Sequence, residues 1–354
     1  MTNYASQLAT EQRDTIAQFL SETQFSDYTL SPISADWGAR HYFRLSHKTE
    51  QRQTALVMVC EDEVNRKSLP AFVAISEKLR SVNISAPEVY KVDEAQGLAL
   101  VEDFGDVDYA LALERDILPK SEIYNRAAQI LMHLGQRKEL AQDLPDFFET
   151  PVYKGHIRAL DWFVPSRLNH KNDPKWRDQY LSIWESIEAK LPEAQKGFTH
   201  IDYHPGNMMY LPERTAIRQC GLLDFQGACF GPLAYDYTNL LKDIRHDVLQ
   251  SIEAHILSEV TNKMTPAHKE SFMAWYRFLC VQFHLRIVGQ VIKIAHVMGR
   301  DDLLGFLPRV TAYLSDELRT DDFHELATFF HHIGVDFRNA DITLDKSLIA
   351  ENAF

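Results

Sequence analysis

Short apolar runs and one helical pattern alternate along the first hundred residues of the chain. Five runs have the length and the β-branched or aromatic content of strands. They lie at Asp27–Pro32, Tyr42–Ser46, Ala55–Cys60, Glu88–Val92 and Leu98–Val101. Between the third run and the fourth, Phe72, Ile75 and Leu79 recur at helical spacing. The pattern predicts an amphipathic helix around residues 16–20, followed by the order β-β-β-α-β-β.

Beyond residue 106 the pattern becomes mostly helical. Ile123–Leu134 and Phe272–Val297 carry apolar side chains at the spacing of one helix face. The exception is Phe198–Phe225, which is typical of a loop, a strand, a turn and a strand. We therefore predict an α+β fold with a small antiparallel-sheet lobe at 1–104. A larger, mostly helical lobe that contains the hairpin is predicted at 105–354.

The predicted hairpin gathers polar side chains at its open end. Its strands are Asn207–Leu211 and Arg218–Leu223, and antiparallel pairing places the start of the first beside the end of the second. Asn207 therefore lies next to Asp224. Asp202 lies on the loop before the first strand, where a Pro-Gly pair bends the chain. Carboxylate and carboxamide oxygens suit Mg²⁺, and phosphoryl transfer uses such a set.

The spacing of these residues is also specific. His200, Asp202 and Asn207 have the His-x-Asp-x₄-Asn spacing of a kinase catalytic loop, and Asp224 follows where a kinase has its metal-binding Asp. Chance would produce the first pattern in a chain of this length on the order of one time in a hundred. Asp202 is thus a candidate for orienting or deprotonating a hydroxyl, with Asn207 and Asp224 as the metal ligands.

Other interpretations of these residues exist. Asp202 and Asn207 are also ordinary turn residues beside a Pro-Gly bend, and Asp224 is also an ordinary cap at the end of a strand. His200 and His204, four residues apart, have the spacing of two zinc ligands on a helix. The Pro-Gly pair directly after them opposes a helix there. We predict instead that His200 anchors the loop and that His204 points toward the phosphates of a nucleotide.

Composition and charge narrow the functional classes. The chain has 354 residues, with 50 acidic against 37 basic residues and a net charge of −13. This balance argues against a nucleic-acid partner, which requires a basic face. The four cysteines form no C-x-x-C pair. The first residues show no signal pattern, and no uncharged run approaches the ~18 residues of a membrane span. We expect a soluble cytoplasmic protein with reduced thiols and no membrane partner.

The segment Thr199–Asn207, taken with Leu223–Phe225, resembles the aminoglycoside phosphotransferase and choline kinase family, which shares the protein-kinase fold. The chain resembles more closely the bacterial anomeric kinases of N-acetylmuramate and N-acetylglucosamine. The segments that carry this closer likeness are Asp36–Arg44, Gly97–Asp106, Leu160–Phe163, Gly231–Tyr237 and Gln282–Gly289.

The resemblance implies a two-lobed, protein-kinase-like fold and an enzyme that uses ATP and Mg²⁺. The implied reaction phosphorylates a small amino sugar at its anomeric hydroxyl, in cell-wall sugar recycling. The resemblance implies that Asp202 orients or deprotonates the sugar hydroxyl and that Asn207 and Asp224 bind Mg²⁺. It also implies that backbone groups of Glu102 to Phe104 contact the adenine and that residues 34–41 cover the phosphates.

Two departures from the family pattern concern the phosphates. Most relatives carry a lysine on a strand that holds the phosphates of the nucleotide. The strand Ala55–Cys60 has no lysine, and Met58 at this point matches the closer subgroup. The covering loop has one glycine, Gly38. Arg40 and Arg44 are the available cations, and a guanidinium binds phosphate with two parallel hydrogen bonds. We predict that one of the two replaces the lysine; the alternative for Arg44 is a strand-surface role.

The segment after the hairpin favours a small-molecule acceptor. Only seven residues separate Asp224 from Pro232, which leaves no room for the activation segment of a protein kinase. In the family, the Asp that matches Asp236 holds the catalytic loop from below; the alternative for Asp236 is an ordinary helix N-cap.

The sequence carries weaker signals for the identity of the acceptor. The long helix carries Arg277, His284, Arg286 and Lys293, which favours an anionic sugar, although a solvated helix face is an equally good interpretation. The aromatic pair Trp162–Phe163 is predicted to pack in the core rather than stack on a sugar. The competing functions are an aminoglycoside-, choline- or homoserine-type kinase of the same fold, and a nucleotide-binding pseudokinase without turnover.

Overall fold

The computed structural model describes residues 10–33, 40–47 and 54–353. Strands β1 to β9 lie at Thr29–Ile33, Arg40–Ser46, Ala55–Cys60, Val89–Asp93, Leu98–Glu102, Lys196–Thr199, Met208–Tyr210, Cys220–Leu222 and Cys229–Pro232. Helices α1 to α12 lie at Thr10–Leu20, Glu63–Lys67, Leu69–Ser81, Tyr109–Glu114, Lys120–Gly135, Val164–Leu168, Lys175–Glu188, Ala234–Leu241, Gln250–Thr261, Pro266–Met298, Leu307–Glu317 and His324–His332.

The chain divides into two compact units. The first comprises Met1–Arg126 and Pro205–Gly227, and the second comprises Ala127–His204 and Ala228–Phe354. In this division the β7–β8 hairpin belongs to the first unit. The predicted boundary near residue 104 stays a prediction.

The first unit contains the predicted antiparallel sheet. Its strand order is β1-β2-β3-β5-β4, and the register pairs Phe43 with Val57 and Val57 with Leu100. Alternate side chains of a strand point to the same face, so these residues and Leu45 pack together against Ile16 of α1. Each such fully buried side chain stabilises the fold by about 1.5–3 kcal/mol. The sequence pattern predicted these strands to within two residues at each end.

Helix α3 connects the sheet to the hairpin. Phe72, Ile75 and Leu79 are buried along one face of α3, as their spacing predicts. The ring of Phe72 stacks on that of Phe225, with centroids 5.1 Å apart and planes at 15°. This contact fixes the backbone directly after Asp224.

The second unit is organised around α10. Thr265 caps its start, where the side-chain oxygen accepts a hydrogen bond from the His268 N–H (3.3 Å), and Gly299 ends it in the left-handed conformation at φ +67°. By length and composition α10 could cross a membrane, but most of its apolar stretch is buried inside the protein, as in the core helix of a soluble protein. Trp162 and Phe163 are also buried in this unit, so their predicted core packing is confirmed.

The start of the segment Phe198–Phe225 differs from the prediction. Phe198 lies in β6, which pairs with β9 through the register Phe198↔Phe230, whereas the sequence pattern indicated a loop. Strand β9 contains a Gly-Pro pair and is only four residues long, so it carries no strand signal of its own. Its pairing with β6 fixes the point at which the following loop, residues 200–204, begins.

Candidate active site

The predicted hairpin is present in the first unit and aligns two of the candidate residues. Strands β7 and β8 pair antiparallel with Met208 opposite Leu222. One step further along, the Leu223 N–H donates to the Asn207 carbonyl oxygen at 2.9 Å. Asn207 and Asp224 therefore flank the open end of the hairpin, as the spacing predicts.

Asp224 presents its carboxylate outward from this end. The side chain is 47% exposed and its backbone is left-handed at φ +57°, a conformation that Asp adopts more readily than most residues. The Gln226 side-chain amide donates to Asp224 Oδ1 at 2.6 Å, and the Arg40 Nη1 atom lies 3.6 Å from the same oxygen. These contacts orient the carboxylate and leave part of it open to a ligand.

Arg40 is held in place beside Asp224. It begins β2, its side chain is 12% exposed, and its Nη2 donates to the Ser68 hydroxyl at 2.7 Å. That hydroxyl in turn donates to the Asn65 carbonyl oxygen at 2.6 Å. In the part of the chain that the structure describes, the Arg40 Nε–H has no acceptor. The guanidinium is thus preorganised and retains donor capacity.

Arg44 has a different environment, although it lies on the same strand. Its guanidinium binds the Asp103 carboxylate through two hydrogen bonds of 2.6 and 3.0 Å. It also donates to Asp106 at 2.6 Å and to the Gly105 carbonyl oxygen at 3.2 Å. These contacts tie β2 to the segment after β5 and occupy the donors of Arg44.

The segment after β5 rests on the hairpin. The Glu102 carboxylate pairs with Arg214 and lies 3.5 Å from Arg80. The backbone N–H of Glu102 donates to the Glu88 carbonyl oxygen at 2.8 Å. Phe104 packs so closely on Gly221 that a Cβ there would lie 2.6 Å from the ring. The Arg214 guanidinium lies 5.0 Å from the centroid of the same ring. Glu102 to Phe104 are therefore fixed to the hairpin, and the predicted contact of their backbone with adenine stays a prediction.

Asn207 and Asp224 fit a magnesium ion by the chemistry of their donors. Mg²⁺ is usually bound through one or two carboxylates, phosphate oxygens and water. The half-exposed Asp224 carboxylate supplies one such ligand, and the Asn207 carboxamide supplies a neutral oxygen. Among residues 10–33, 40–47 and 54–353, no three His, Cys, Asp or Glu side chains are placed to share a metal ion. The zinc interpretation of His200 and His204 therefore finds no third ligand in this part of the chain.

The loop that carries Asp202 belongs to the second unit and is held by Asp236. The buried Asp236 carboxylate accepts hydrogen bonds from the backbone N–H of His200 (2.6 Å) and of Ile201 (2.9 Å). Burial raises the pKa of Asp236 to about 7, against the opposing effect of these two hydrogen bonds. Ile201 has a φ of +79°, which is strained for a β-branched residue. The two hydrogen bonds maintain this strained turn, which sets the direction of the next residue, Asp202.

The Asp202 side chain is 42% exposed, and its Oδ1 lies 3.6 Å from His204 Nε2. Desolvation acts to raise the pKa of Asp202. The adjacent His204 ring, together with the charges of Arg245 and Arg286, outweighs this effect, so the pKa is lowered below its usual range. Asp202 is therefore ionised at neutral pH, which suits a group that accepts a hydrogen bond from a hydroxyl.

The two histidines of the loop are both buried. The His200 ring meets the Tyr203 ring edge-on at 5.5 Å, and the Tyr203 hydroxyl donates to the Ala127 carbonyl oxygen at 2.8 Å. This packing agrees with an anchoring role for His200. His204 faces Asp202, and its predicted position at the phosphates stays a prediction.

The structure therefore places the predicted site residues in three groups. Arg40, Asn207 and Asp224 form one group in the first unit, while Arg44 and Glu102 lie with the segment after β5. Asp202 and His204 lie together in the second unit. The predicted covering loop, with Gly38, falls on residues 34–39, outside the described residues. Sequence reasoning missed Ser68 and Gln226, whose contacts with Arg40 and Asp224 leave no motif in the sequence.

The sheet, the hairpin and the loop held by Asp236 are elements of a kinase-like fold. Comparison with solved structures shows the same fold. An ethanolamine kinase from Plasmodium vivax superposes with a TM-score of 0.59 at 14% identity, covering 86% of this chain and 89% of that one. The ADP-bound aminoglycoside phosphotransferase APH(2'')-Ib gives 0.55 at 16% identity, covering 89% and 99%. The predicted fold class is confirmed.

The chain belongs to the Phosphotransferase enzyme family, whose family model matches residues 29–259. An N-acetylmuramate/N-acetylglucosamine kinase from Caulobacter vibrioides is 28% identical over 338 residues, which cover 87% of this chain and 92% of the relative. A kinase of the same description from Pseudomonas aeruginosa is 26% identical over 291 residues, covering 80% and 82%. The family and the enzyme class predicted from the sequence are confirmed.

Proposed function

We propose that this protein transfers the terminal phosphoryl group of ATP, with Mg²⁺, to the anomeric hydroxyl of N-acetylmuramate or N-acetylglucosamine. The reaction would take place in the cytoplasm and recycle cell-wall sugars. One observation carries the proposal: Asp202, Asn207 and Asp224 are all retained in a chain that matches kinases of these two sugars over most of its length. The retained set also argues against a pseudokinase.

Each residue has a distinct task in this mechanism. Ionised Asp202 accepts the hydrogen bond of the sugar hydroxyl, orients it and takes its proton as transfer proceeds. Asn207 and Asp224 would hold Mg²⁺, which neutralises charge on the phosphates. The backbone of Glu102 to Phe104 would contact the adenine. His204 would reach the phosphates from the position next to Asp202.

The contacts favour Arg40 over Arg44 as the replacement for the strand lysine. Arg40 lies beside Asp224, and its donors are only partly used. The guanidinium of Arg44 is already bound by two carboxylates, those of Asp103 and Asp106. A cation next to a metal-binding carboxylate is well placed to bind phosphate oxygens, and Arg does so through two parallel hydrogen bonds.

A pair of matched substitutions on β2 tests this assignment. We expect Arg40→Met to raise the KM for ATP by about 10- to 100-fold, because a charge-assisted hydrogen bond is lost. Arg44→Met, four residues along the same strand, should lower the melting temperature and change the KM for ATP less. Steady-state kinetics and thermal unfolding of both variants give the comparison. A larger ATP effect from Arg44→Met would assign the phosphate contact to Arg44.

The proposed reaction is tested with a panel of acceptors. ADP release by the full-length protein with Mg²⁺ would be measured with N-acetylmuramate, N-acetylglucosamine, an aminoglycoside, choline and homoserine. We expect turnover with the two sugars, and phosphorus NMR of the product should show a phosphate on the anomeric carbon. Turnover with only one of the other three acceptors would replace the proposal by that activity. Retained ATP binding with no turnover would indicate a nucleotide-binding scaffold.

A further inference from the structure

Two arginine side chains meet in the second unit, which also contains the loop that carries Asp202. Arg286 lies on α10 and Arg158 lies at the end of the turn Lys154–Ile157. A Cβ atom added to Gly155 would lie 2.9 Å from Arg158 Nη1 and 2.8 Å from Arg286 Cγ. A Cβ on Gly289, one turn further along α10, would lie 2.0 Å from the Arg158 carbonyl oxygen. Two glycines thus allow the close approach that brings these side chains together.

This pair has no neutralising partner of its own. Across the described part of the chain, neither Arg158 nor Arg286 has a carboxylate within ion-pair distance, whereas Arg245 binds Asp243 at 2.9 Å. The nearest polar contact of Arg286 is the Tyr235 hydroxyl, 3.5 Å from Nη2, and in the same described part its buried Nε–H has no acceptor. Desolvation and the charge of Arg286 both lower the pKa of Arg158. Placing two like charges together is costly unless an anion joins them.

Arg286 interacts electrostatically with Asp202 and with Tyr235. The positive charge of Arg286 helps to lower the pKa of Asp202, and Tyr235 senses the charges of both Arg286 and Asp202. The Tyr235 hydroxyl that Arg286 contacts at 3.5 Å belongs to the residue directly before Asp236, whose carboxylate holds the loop that carries Asp202. The arginine pair therefore lies near the start of that loop.

The other three cations that the sequence pattern singles out on α10 have contacts elsewhere. His284 is buried and its Nδ1 lies 2.9 Å from the Glu317 carboxylate. Arg277 is paired with Asp322 at 3.1 Å on the surface. The Lys293 amine lies 5.6 Å from the centroid of the Trp162 ring. Arg286 also lies over a ring, 5.3 Å from the Phe283 centroid, but among these four cations it alone has a buried side-chain N–H without an acceptor in the described part of the chain.

We infer that Arg286 and Arg158 bind a carboxylate of the acceptor, so that the enzyme prefers an acidic amino sugar to its neutral counterpart. The inference rests on the proposed function and refines it. N-Acetylmuramate differs from N-acetylglucosamine by a lactyl ether that ends in a carboxylate. A guanidinium pair binds a carboxylate with short, charge-assisted hydrogen bonds, whereas the neutral sugar offers no charge at this point.

The test compares the two sugars in each variant. We expect Arg286→Met to lower kcat/KM for N-acetylmuramate by about 10- to 100-fold and to leave N-acetylglucosamine within about threefold of the wild type. Arg158→Met should act in the same direction. Arg286→Lys should recover part of the loss, because it restores the charge without the two-pronged geometry. Arg277→Met, on the same helix but paired at the surface, is the matched control and should leave the ratio of the two sugars unchanged.

The design separates this inference from the proposed function. Turnover of N-acetylglucosamine shows that a variant is folded, and Arg158→Met serves as the second variant if Arg286→Met yields no folded protein. An equal loss with both sugars would overturn the inference, because Arg286 would then act through Asp202 or on the transferred phosphoryl group. An unchanged ratio would also overturn it and leave the proposed function standing. A wild-type protein that phosphorylates neither sugar would overturn both.

Discussion

Replacement of Asp202 by Asn is expected to lower kcat by about 10²- to 10⁴-fold, which is the usual contribution of a positioned general base. The variant keeps the shape of the side chain but loses the negative charge that Asp202 carries at neutral pH. ATP affinity in the presence of Mg²⁺ should stay near that of the wild type, because Asn207 and Asp224 are intact. ADP release gives kcat, and calorimetric titration with an ATP analogue gives the affinity.

A matched control for this substitution lies in the same unit. The side chain of Asp146 is also 42% exposed, and Asp146 forms an ion pair with Lys196. Asp146→Asn should leave kcat unchanged, since an amide oxygen can still accept the Phe148 N–H that the carboxylate accepts now. Near-full activity of Asp202→Asn would contradict the assignment of Asp202. A parallel loss of kcat and ATP affinity would instead indicate that the loop had lost its structure.

The parts of the site that the sequence predicted are those fixed by local chain geometry. Asn207 and Asp224 are 17 positions apart, but one hairpin joins them, and strand and turn signals are local. The strands of the first sheet were likewise predictable, because apolar runs such as Ala55–Cys60 are buried and bounded by polar segments. Antiparallel pairing then places the two metal-binding candidates without further information.

What the sequence did not predict depends on contacts between distant segments. The short strand β9 exists because β6 pairs with it. The role of Arg44 is decided by two carboxylates about sixty residues away, at Asp103 and Asp106. Arg158 lies in a stretch with no motif, and its proximity to Arg286 follows from the absence of side chains at two glycines. No local periodicity or spacing encodes such arrangements.

Replacement of Asp224 by Asn is expected to abolish the dependence of ATP binding on Mg²⁺ and to lower kcat/KM for ATP by about a thousandfold or more, since a bound metal contributes several kcal/mol of charge stabilisation. The half-exposed carboxylate is the charged member of the proposed ligand set. An amide in its place keeps an oxygen but removes the negative charge that a divalent cation requires. Titrating ATP affinity against Mg²⁺ concentration measures the effect without any turnover.

Two further variants identify the cause of such a loss. Asp93→Asn changes a carboxylate at the edge strand β4 of the same sheet, where an amide oxygen can still accept the Gln96 N–H, so the Mg²⁺ dependence should remain. Arg40→Met removes the cation 3.6 Å from Asp224 but leaves the proposed metal ligands in place. It should weaken ATP binding at every Mg²⁺ concentration and leave the dependence of ATP affinity on Mg²⁺ concentration unchanged. If Arg40→Met also removed the Mg²⁺ dependence, or if Asp224→Asn preserved it, Asp224 would serve to position Arg40 and the metal would be bound by other groups.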